Sequence, residues 1–460
     1  MNNLLNTMMF FKEITKIPRE SGNEKKMAEY LVHFAKERNL FYKCDEYNNV
    51  IIKKKTVNKR PIILQAHMDM VCEKNPTKEI NFAEDAIEVI EKDGFLMANG
   101  TTLGADNGIG MAQILTILDS DILCNIEAVF TVAEETTMAG ALNLNENDLE
   151  ARELLSLDGF EENTIIIESA SFYDIILETQ YVFSTPQNLH VYQISVTGML
   201  GGHSGFDINK KRGNSNIELA RILNRIGDIE IIDFWGGDKF NVIPSQANAQ
   251  FYTNLTKDQI EEICQLTQME LRKQYSKIKI SFSNIKTDKK TLNNKQSKDF
   301  LQTIVQFPHG VIKYNRKREV ITSVNLGGVN LQEGRLKIGM RSSKKVEEQE
   351  CLEILKKYSN ERQLKVKVLG SQPGFENEEK CNLIQNLLKA HPIELFKQKP
   401  KLKSVHIALE TGIFQTKMPN LQIAVISPNI QGAHTVNEKV EIESIQKTNE
   451  WLIRFLENYN

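Results

Sequence analysis

Cysteine is sparse in this chain and never clustered. The six residues Cys44, Cys72, Cys124, Cys264, Cys351 and Cys381 are scattered over 460 positions without a C-x-x-C pair. That excludes a dense disulfide framework and fits a reduced, intracellular protein. Positive charge is not in surplus either, since Lys+Arg 57 stand against Asp+Glu 60 for a net charge of −3. A protein whose main partner is nucleic acid usually shows a basic excess. No apolar run approaches the roughly 18 residues of a membrane span. The opening "MNNLLNTMMFFKEITK" lacks the basic n-region and long apolar stretch of a signal peptide. The expectation is therefore a cytoplasmic chain with no membrane and no nucleic-acid partner. No internal repeat is present.

What is there is a soluble globular composition, 41% hydrophobic and 25% charged, over a length that suggests roughly two to four domains. After the N-terminus, Ser21-x-x-Glu24 reads as a capping box for an amphipathic helix carrying Met27, Tyr30, Leu31 and Phe34 on one face. "NNVIIKK" and "PIILQAH" read as strands, and "GTTLGADNGIGMAQILTIL" as a glycine-rich turn opening a helix. "IEAVFTVAEE" and "ARELLSLDG" are further strands. This alternation indicates an α/β domain with a mainly parallel sheet. From about residue 184 the texture becomes α+β, with antiparallel strands, a hairpin in "ITSVNLGGVNLQEGRLKIGMRSS" and interspersed helices. "LQIAVISP" then returns to α/β. The expected organisation is one α/β domain, residues 1–183 and 372–460, interrupted by an α+β domain, residues 184–371. The runs "KKK" (Lys53–Lys55) and "KTDKKTLNNKQSK" read as solvated segments.

Chemistry enters where apolar strands end. His67 and Asp69 close "PIILQAHMD", Asp106 opens the helix, Glu134 and Glu135 end "AVFTVAEE", Asp158 ends "ELLSLDG", and His434 follows "LQIAVISPNIQGA". Ligands of open α/β sheets bind outside the carboxyl ends of strands. Taken singly, Asp106 reads as a helix cap, Asp158 before Gly159 as a turn, and Glu134-Glu135 as a solvated pair. Together they would converge on one rim if their strands are neighbours. Such a set is too large for one tetrahedral ion. Two ions sharing one carboxylate would use five ligands and leave a carboxylate free, as in two-metal hydrolases.

The motifs "LQAHMDMV", "GTTLGADNGIGMA", "AEE", "LDG", "GGHSG", "NVIP" and "HIALETG" resemble those of the aminoacyl-histidine dipeptidases, or cytosolic non-specific dipeptidases. These belong to the di-zinc aminopeptidase, carboxypeptidase and amidohydrolase superfamily, and the resemblance spans nearly the whole chain. It implies a dipeptidase acting on Xaa-His and broader dipeptides, with two zinc ions per chain and cobalt or manganese as alternatives. His67 and Asp158 would hold one ion, Glu135 and His434 the other, and Asp106 would bridge them. Asp69 would orient His67 through its ring, and Glu134 would act as general base.

In the inserted domain, read by the same resemblance as a lid and homodimer contact, His203 would donate to the scissile carbonyl. Asn241 and Arg341 would contact substrate, Arg341 by its planar fork to a carboxylate. Glu410, beside His406 in "HIALETG", would meet the free amino end. A tripeptidase, an N-acyl amino acid amidohydrolase or a non-catalytic metal-binding homologue are the alternatives. The chain departs from its relatives at Ser169–Phe172, where they have a glycine-rich turn, and at Ala433, where they have proline. "AEETTMAGA" also lacks a glycine they carry soon after the glutamate pair. No ligand is lost, so these departures bear on substrate preference.

Overall fold

The structure, a computed structural model, describes residues 3–56 and 60–459. It divides into two compact units: Met1–Ser169, Phe375–Val405 and Leu409–Asn460 form the first, and Ala170–Gly374 with His406–Ala408 the second. The sequence puts the junctions at 183/184 and 371/372. The earlier first junction follows from the strand Ser171–Glu178, which pairs with both Arg335–Ser342 and Lys365–Gln372 in the second unit's sheet.

The first unit is built on eight strands in the order Phe41–Cys44, Val50–Lys54, Ile126–Thr131, Ile62–His67, Glu153–Ser156, Gln422–Val425, Thr164–Ser169, Lys401–Val405. The central run from Ile126–Thr131 to Gln422–Val425 is parallel, and antiparallel pairs lie at the Phe41 edge. Ile62–His67 is buried at every residue, as a strand covered on both faces should be. The helix Ala105–Leu118 is mostly apolar and buried throughout. It packs against the helices Asn3–Ile14 and Ile442–Glu457. Its Gln113 donates to Asn449, Asn449 donates to Thr7, and Thr7 meets Thr116, which ties the three helices through polar groups as well. A small sheet is formed by Val89–Lys92, Phe95–Ala98, Lys439–Glu441 and Ile430–Gln431.

The second unit carries a wholly antiparallel sheet, Lys279–Asn284, His190–Thr197, Ala247–Thr253, Ile229–Gly236, Val320–Asn330, Arg335–Ser342, Ser171–Glu178, Lys365–Gln372, with Gly310–Tyr314 beside Val320–Asn330. His190–Thr197 alternates buried and half-buried residues, the pattern of a sheet with one face on a core. The helices Ser215–Ile226 and Asn294–Val305 supply that core with Ile217, Leu219, Ile222, Leu223, Phe300 and Leu301.

Two local expectations change. Of Lys53–Lys55 only Lys55 is exposed: Lys53 pairs with Glu127 at 2.6 Å, and the buried Lys54 ammonium donates to the carbonyls of Ile117 and Ser120. The end of the Lys/Asn-rich stretch is the first turn of helix Asn294–Val305, capped by Asn293, whose side chain accepts from Gln296 N at 2.9 Å. None of the six cysteines forms a disulfide. Among the described residues no helix is long and apolar enough to cross a membrane.

Candidate metal centre

Because the central strands are parallel and in register, with His67 opposite Thr131, Gln65 opposite Ser156 and Ser156 opposite Val425, their carboxyl ends form one rim. His67 is the last residue of its strand, Glu134 and Glu135 follow Thr131, and Asp158 follows Ser156. Asp106 lies in the first turn of helix Ala105–Leu118, and His434 on the turn between Ile430–Gln431 and Lys439–Glu441.

Asp106 stands between the two histidines. His67 Nε2 is 3.1 Å from Asp106 Oδ1 and 3.6 Å from Asp158 Oδ1. His434 Nε2 is 3.0 Å from Asp106 Oδ2 and 2.9 Å from Glu135 Oε2. Ligand atoms about 2.0–2.1 Å from a tetrahedral ion stand about 3.3 Å apart. Both groups have that spacing. Each also pairs one imidazole with two carboxylates, a donor set suited to a divalent transition metal. Glu135 Oε1 is buried with no hydrogen-bond partner.

The electrostatics of the cluster favour binding a cation. Burial opposes a charge on His67, yet Asp158, Asp106 and Asp69 outweigh it and hold its pKa well above the ordinary value. Asp106 and Glu135 raise His434 to about 10. Burial raises Glu135 and Asp158 above the usual carboxylate range. It pushes Glu134 well above that range, and against the opposing charge of His67 the carboxylates Asp158, Glu135 and Glu410 push the same way. A pocket with more carboxylates than positive charge binds protons or cations.

Asp69 meets the His67 ring through both its backbone carbonyl and its carboxylate. His67 Nδ1 is 3.0 Å from the Asp69 backbone carbonyl and 3.4 Å from its carboxylate. The carbonyl therefore fixes the ring, and a neutral His67 donating there keeps its Nε2 lone pair toward Asp106. The Asp69 carboxylate also accepts from Glu134 N at 3.0 Å, Glu135 N at 3.1 Å and the Ser21 hydroxyl at 2.7 Å. Glu24 Oε1 accepts from Gly22 N and Ala133 N. The Ser21–Glu24 capping box is thus not formed: both residues brace the turn that presents Glu134 and Glu135. That turn needs bracing, since Ala133 has φ 54°, a left-handed conformation that costs a non-glycine residue about 1–2 kcal/mol.

Glu410 is buried, with Oε2 accepting from Thr131 at 2.6 Å and Gln65 at 2.8 Å, and burial pushes its pKa to about 8. Only its unpartnered Oε1 is left for the amino-end contact that the resemblance implies.

In the second unit His203 lies on the short strand Gly202–His203, paired with Val242–Ile243. Its Nδ1 accepts from Gly205 N at 3.2 Å, and burial beside Arg341 lowers its pKa to about 4. It is therefore neutral, with its proton on Nε2 free to donate. Arg341 is buried, its Nε 3.2 Å from the Ser204 hydroxyl and its guanidinium stacked 4.1 Å from the Phe172 ring. Phe172, at the end of the Ser169–Phe172 segment, thus packs on Arg341. Ser323, opposite Arg341 in the sheet, binds His406 Nε2 at 2.7 Å. Asn241 joins the group through its carbonyl, which accepts from Ser204 N at 2.8 Å.

Sequence reading misses Arg19 and Glu438, both buried and both bonded to the backbone of ligand-bearing segments. No residue pattern marks them, because the groups they hold are main-chain atoms.

A rim of two histidines and several carboxylates at metal-ligand spacing, on the carboxyl ends of a parallel sheet, is the equipment of a metal-dependent hydrolase. The chain belongs to Peptidase family M20/M25/M40, which residues 63–458 match, and it is a peptidase enzyme. It is 30% identical over 457 residues to the cytosol non-specific dipeptidase of Escherichia coli (strain K12), covering 95% of this chain and 93% of that protein. The crystal structure of aminoacylhistidine dipeptidase from Vibrio alginolyticus superposes with a TM-score of 0.86 at 28% identity, covering 99% of this chain and 96% of that one. A tripeptidase from Staphylococcus aureus shares the fold at a TM-score of 0.54 and 17% identity, over 99% and 98% of the two chains.

Proposed function

We propose that this peptidase is a di-zinc dipeptidase of the cytoplasm that cleaves dipeptides with both ends free, including Xaa-His. The observation that carries the reading is the Asp106 carboxylate, with one oxygen facing His67 and Asp158 and the other facing His434 and Glu135. In it, His67 and Asp158 would hold one ion and His434 and Glu135 the other, with Asp106 available to both. Bound divalent ions supply Lewis acidity and make water a nucleophile at neutral pH. Glu134, next to a ligand but absent from either group, takes the proton of the attacking water and delivers it to the leaving amine. His203 donates Nε2–H to the carbonyl oxygen as it gains charge. Asn241 contacts the substrate beside it. The Vibrio and Escherichia coli relatives, both named as dipeptidases, support the substrate class, and a homodimer formed through the second unit belongs to the same reading.

The test is a panel assay on purified, zinc-loaded protein. Free dipeptides are expected to turn over, while N-acetylated dipeptides and tripeptides are cleaved far more slowly. Preference for the tripeptides or the acylated substrates would move the assignment to another amide hydrolase. Loss of activity on chelation, restored by zinc, is part of the same expectation.

Arg341 is assigned to the substrate carboxylate. Its Nε is engaged by Ser204, so the two terminal nitrogens are the ones that would grip a carboxylate. Arg341→Lys keeps the charge but loses the fork. Its catalytic efficiency for free dipeptides is expected to fall about 10-fold or more, since charge-assisted bonds contribute about 1.5–3 kcal/mol. The loss for C-terminal dipeptide amides should be much smaller. Equal losses on both substrates would make Arg341 structural.

A further inference from the structure

We propose that Glu438 and Arg19 are positioning residues that set Asp106 between its two histidines, and so determine how tightly the metal pair is held. The inference rests on the two-ion reading above.

Glu438 is buried, and its carboxylate accepts four consecutive backbone N–H groups: Leu103 at 2.7 Å and Gly104 at 2.9 Å on Oε2, Ala105 at 2.8 Å and Asp106 at 3.2 Å on Oε1. A carboxylate has about four acceptor sites, and here every one is used on the loop that ends at Asp106. Ordinary capping of helix Ala105–Leu118 would need only a local Ser, Thr, Asp or Asn. Glu438 instead comes from the turn that carries His434, four residues earlier. The bond set therefore joins the segment of one ligand to the segment of the shared ligand.

Arg19 completes the join from the other side. Its buried guanidinium donates to the carbonyls of Met68 at 2.9 Å and Asp69 at 3.1 Å, and to that of Gly104. Asp69 is the residue whose carbonyl also fixes His67. The Gly104–Asp106 loop is thus gripped by a cation attached to the His67 strand end and by an anion attached to the His434 turn.

The glycines of "GADNGIG" make room for this. A Cβ on Gly104, at φ 69°, would lie 2.4 Å from Arg19 Nη2 and 2.7 Å from Met70 Sδ, and one on Gly108 would lie 2.7 Å from Arg19 Nη2. Neither buried charge is in the set of groups facing the ions. Their function is to remove freedom from the groups that are.

The test is zinc titration of the metal-free full chain against a chromophoric chelator, with folding checked by circular dichroism and thermal unfolding. Wild type must bind two zinc ions; if it does not, the two-ion reading fails, whatever the variants do. Given that, Glu438→Gln puts an amide NH₂ against two backbone N–H groups, and Arg19→Lys loses the forked contact. Each should weaken zinc binding about 10- to 100-fold, the usual cost of removing groups that orient metal ligands. Glu438→Asp, which keeps the carboxylate on a shorter arm, should fall in between. Gly104→Ala should weaken binding without altering either charge, and carries the test if Glu438→Gln fails to fold. Trp451→Phe, which removes the Trp451–Leu387 bond away from the loop, controls for general loosening. Wild-type affinity in folded Glu438→Gln and Arg19→Lys would overturn the proposal. So would an equal loss in Trp451→Phe.

Discussion

Glu134→Gln is expected to retain both metal ions and lose about 10²–10⁴-fold in kcat, the range contributed by a positioned general base. That corresponds to about 2.7–5.4 kcal/mol of barrier. The substitution is nearly isosteric, and the turn is held through the backbone, since Glu134 N and Glu135 N both bond to Asp69. The geometry of Glu135 toward His434 should survive. Removing one negative charge from a cluster that already raises the Glu134 pKa should also relieve repulsion, so the folded protein should not suffer. KM should change little, because the base acts on a proton in flight rather than on bound substrate. Glu135→Gln provides the contrast: it is assigned to one ion and should lose metal along with rate. The measurement is steady-state kinetics beside elemental analysis of the same samples. Near-normal turnover in fully metallated Glu134→Gln would remove Glu134 from the chemistry.

Much of the rim was legible because a buried strand announces itself by its apolar run and cannot bury a charge without a partner. His67, Glu134, Glu135 and Asp158 all stand where such a run stops. Their convergence was not legible. It depends on Ile126–Thr131 inserting between Val50–Lys54 and Ile62–His67, and on Gln422–Val425 returning beside Glu153–Ser156 from far along the chain. Long-range pairing of this kind leaves no local pattern. The strand Lys401–Val405 went unread for a related reason: it lies at the sheet edge and is half polar. Ser21 and Glu24 show the opposite error: the helix they announce forms at Lys25–Glu37, but their capping bonds are overridden by bonds to the site. Lys54 shows that a lysine run on a strand can bury one member when carbonyls are in reach.

The shared carboxylate carries the second large expectation. Asp106→Ala should lose both ions, whereas Glu135→Ala and Asp158→Ala should each weaken mainly one, with the other partly retained. Asp106 alone presents one oxygen to His67 and the other to His434, at 3.1 and 3.0 Å, while Asp158 lies beside the first histidine and Glu135 beside the second. On the two-ion reading, removing it would leave each ion one histidine and one carboxylate, below the three protein ligands that catalytic zinc sites typically keep. Asp106→Asn keeps one carbonyl oxygen and should retain some metal, though less than wild type, because on the same reading it would lose the charge that offsets the repulsion between two nearby cations. Zinc per chain, measured after dialysis against a fixed low free-zinc buffer, separates the cases. Two ions in Asp106→Ala would rule out a shared ligand, and the loss of only one would assign Asp106 to a single site and leave the pair to be held by other groups.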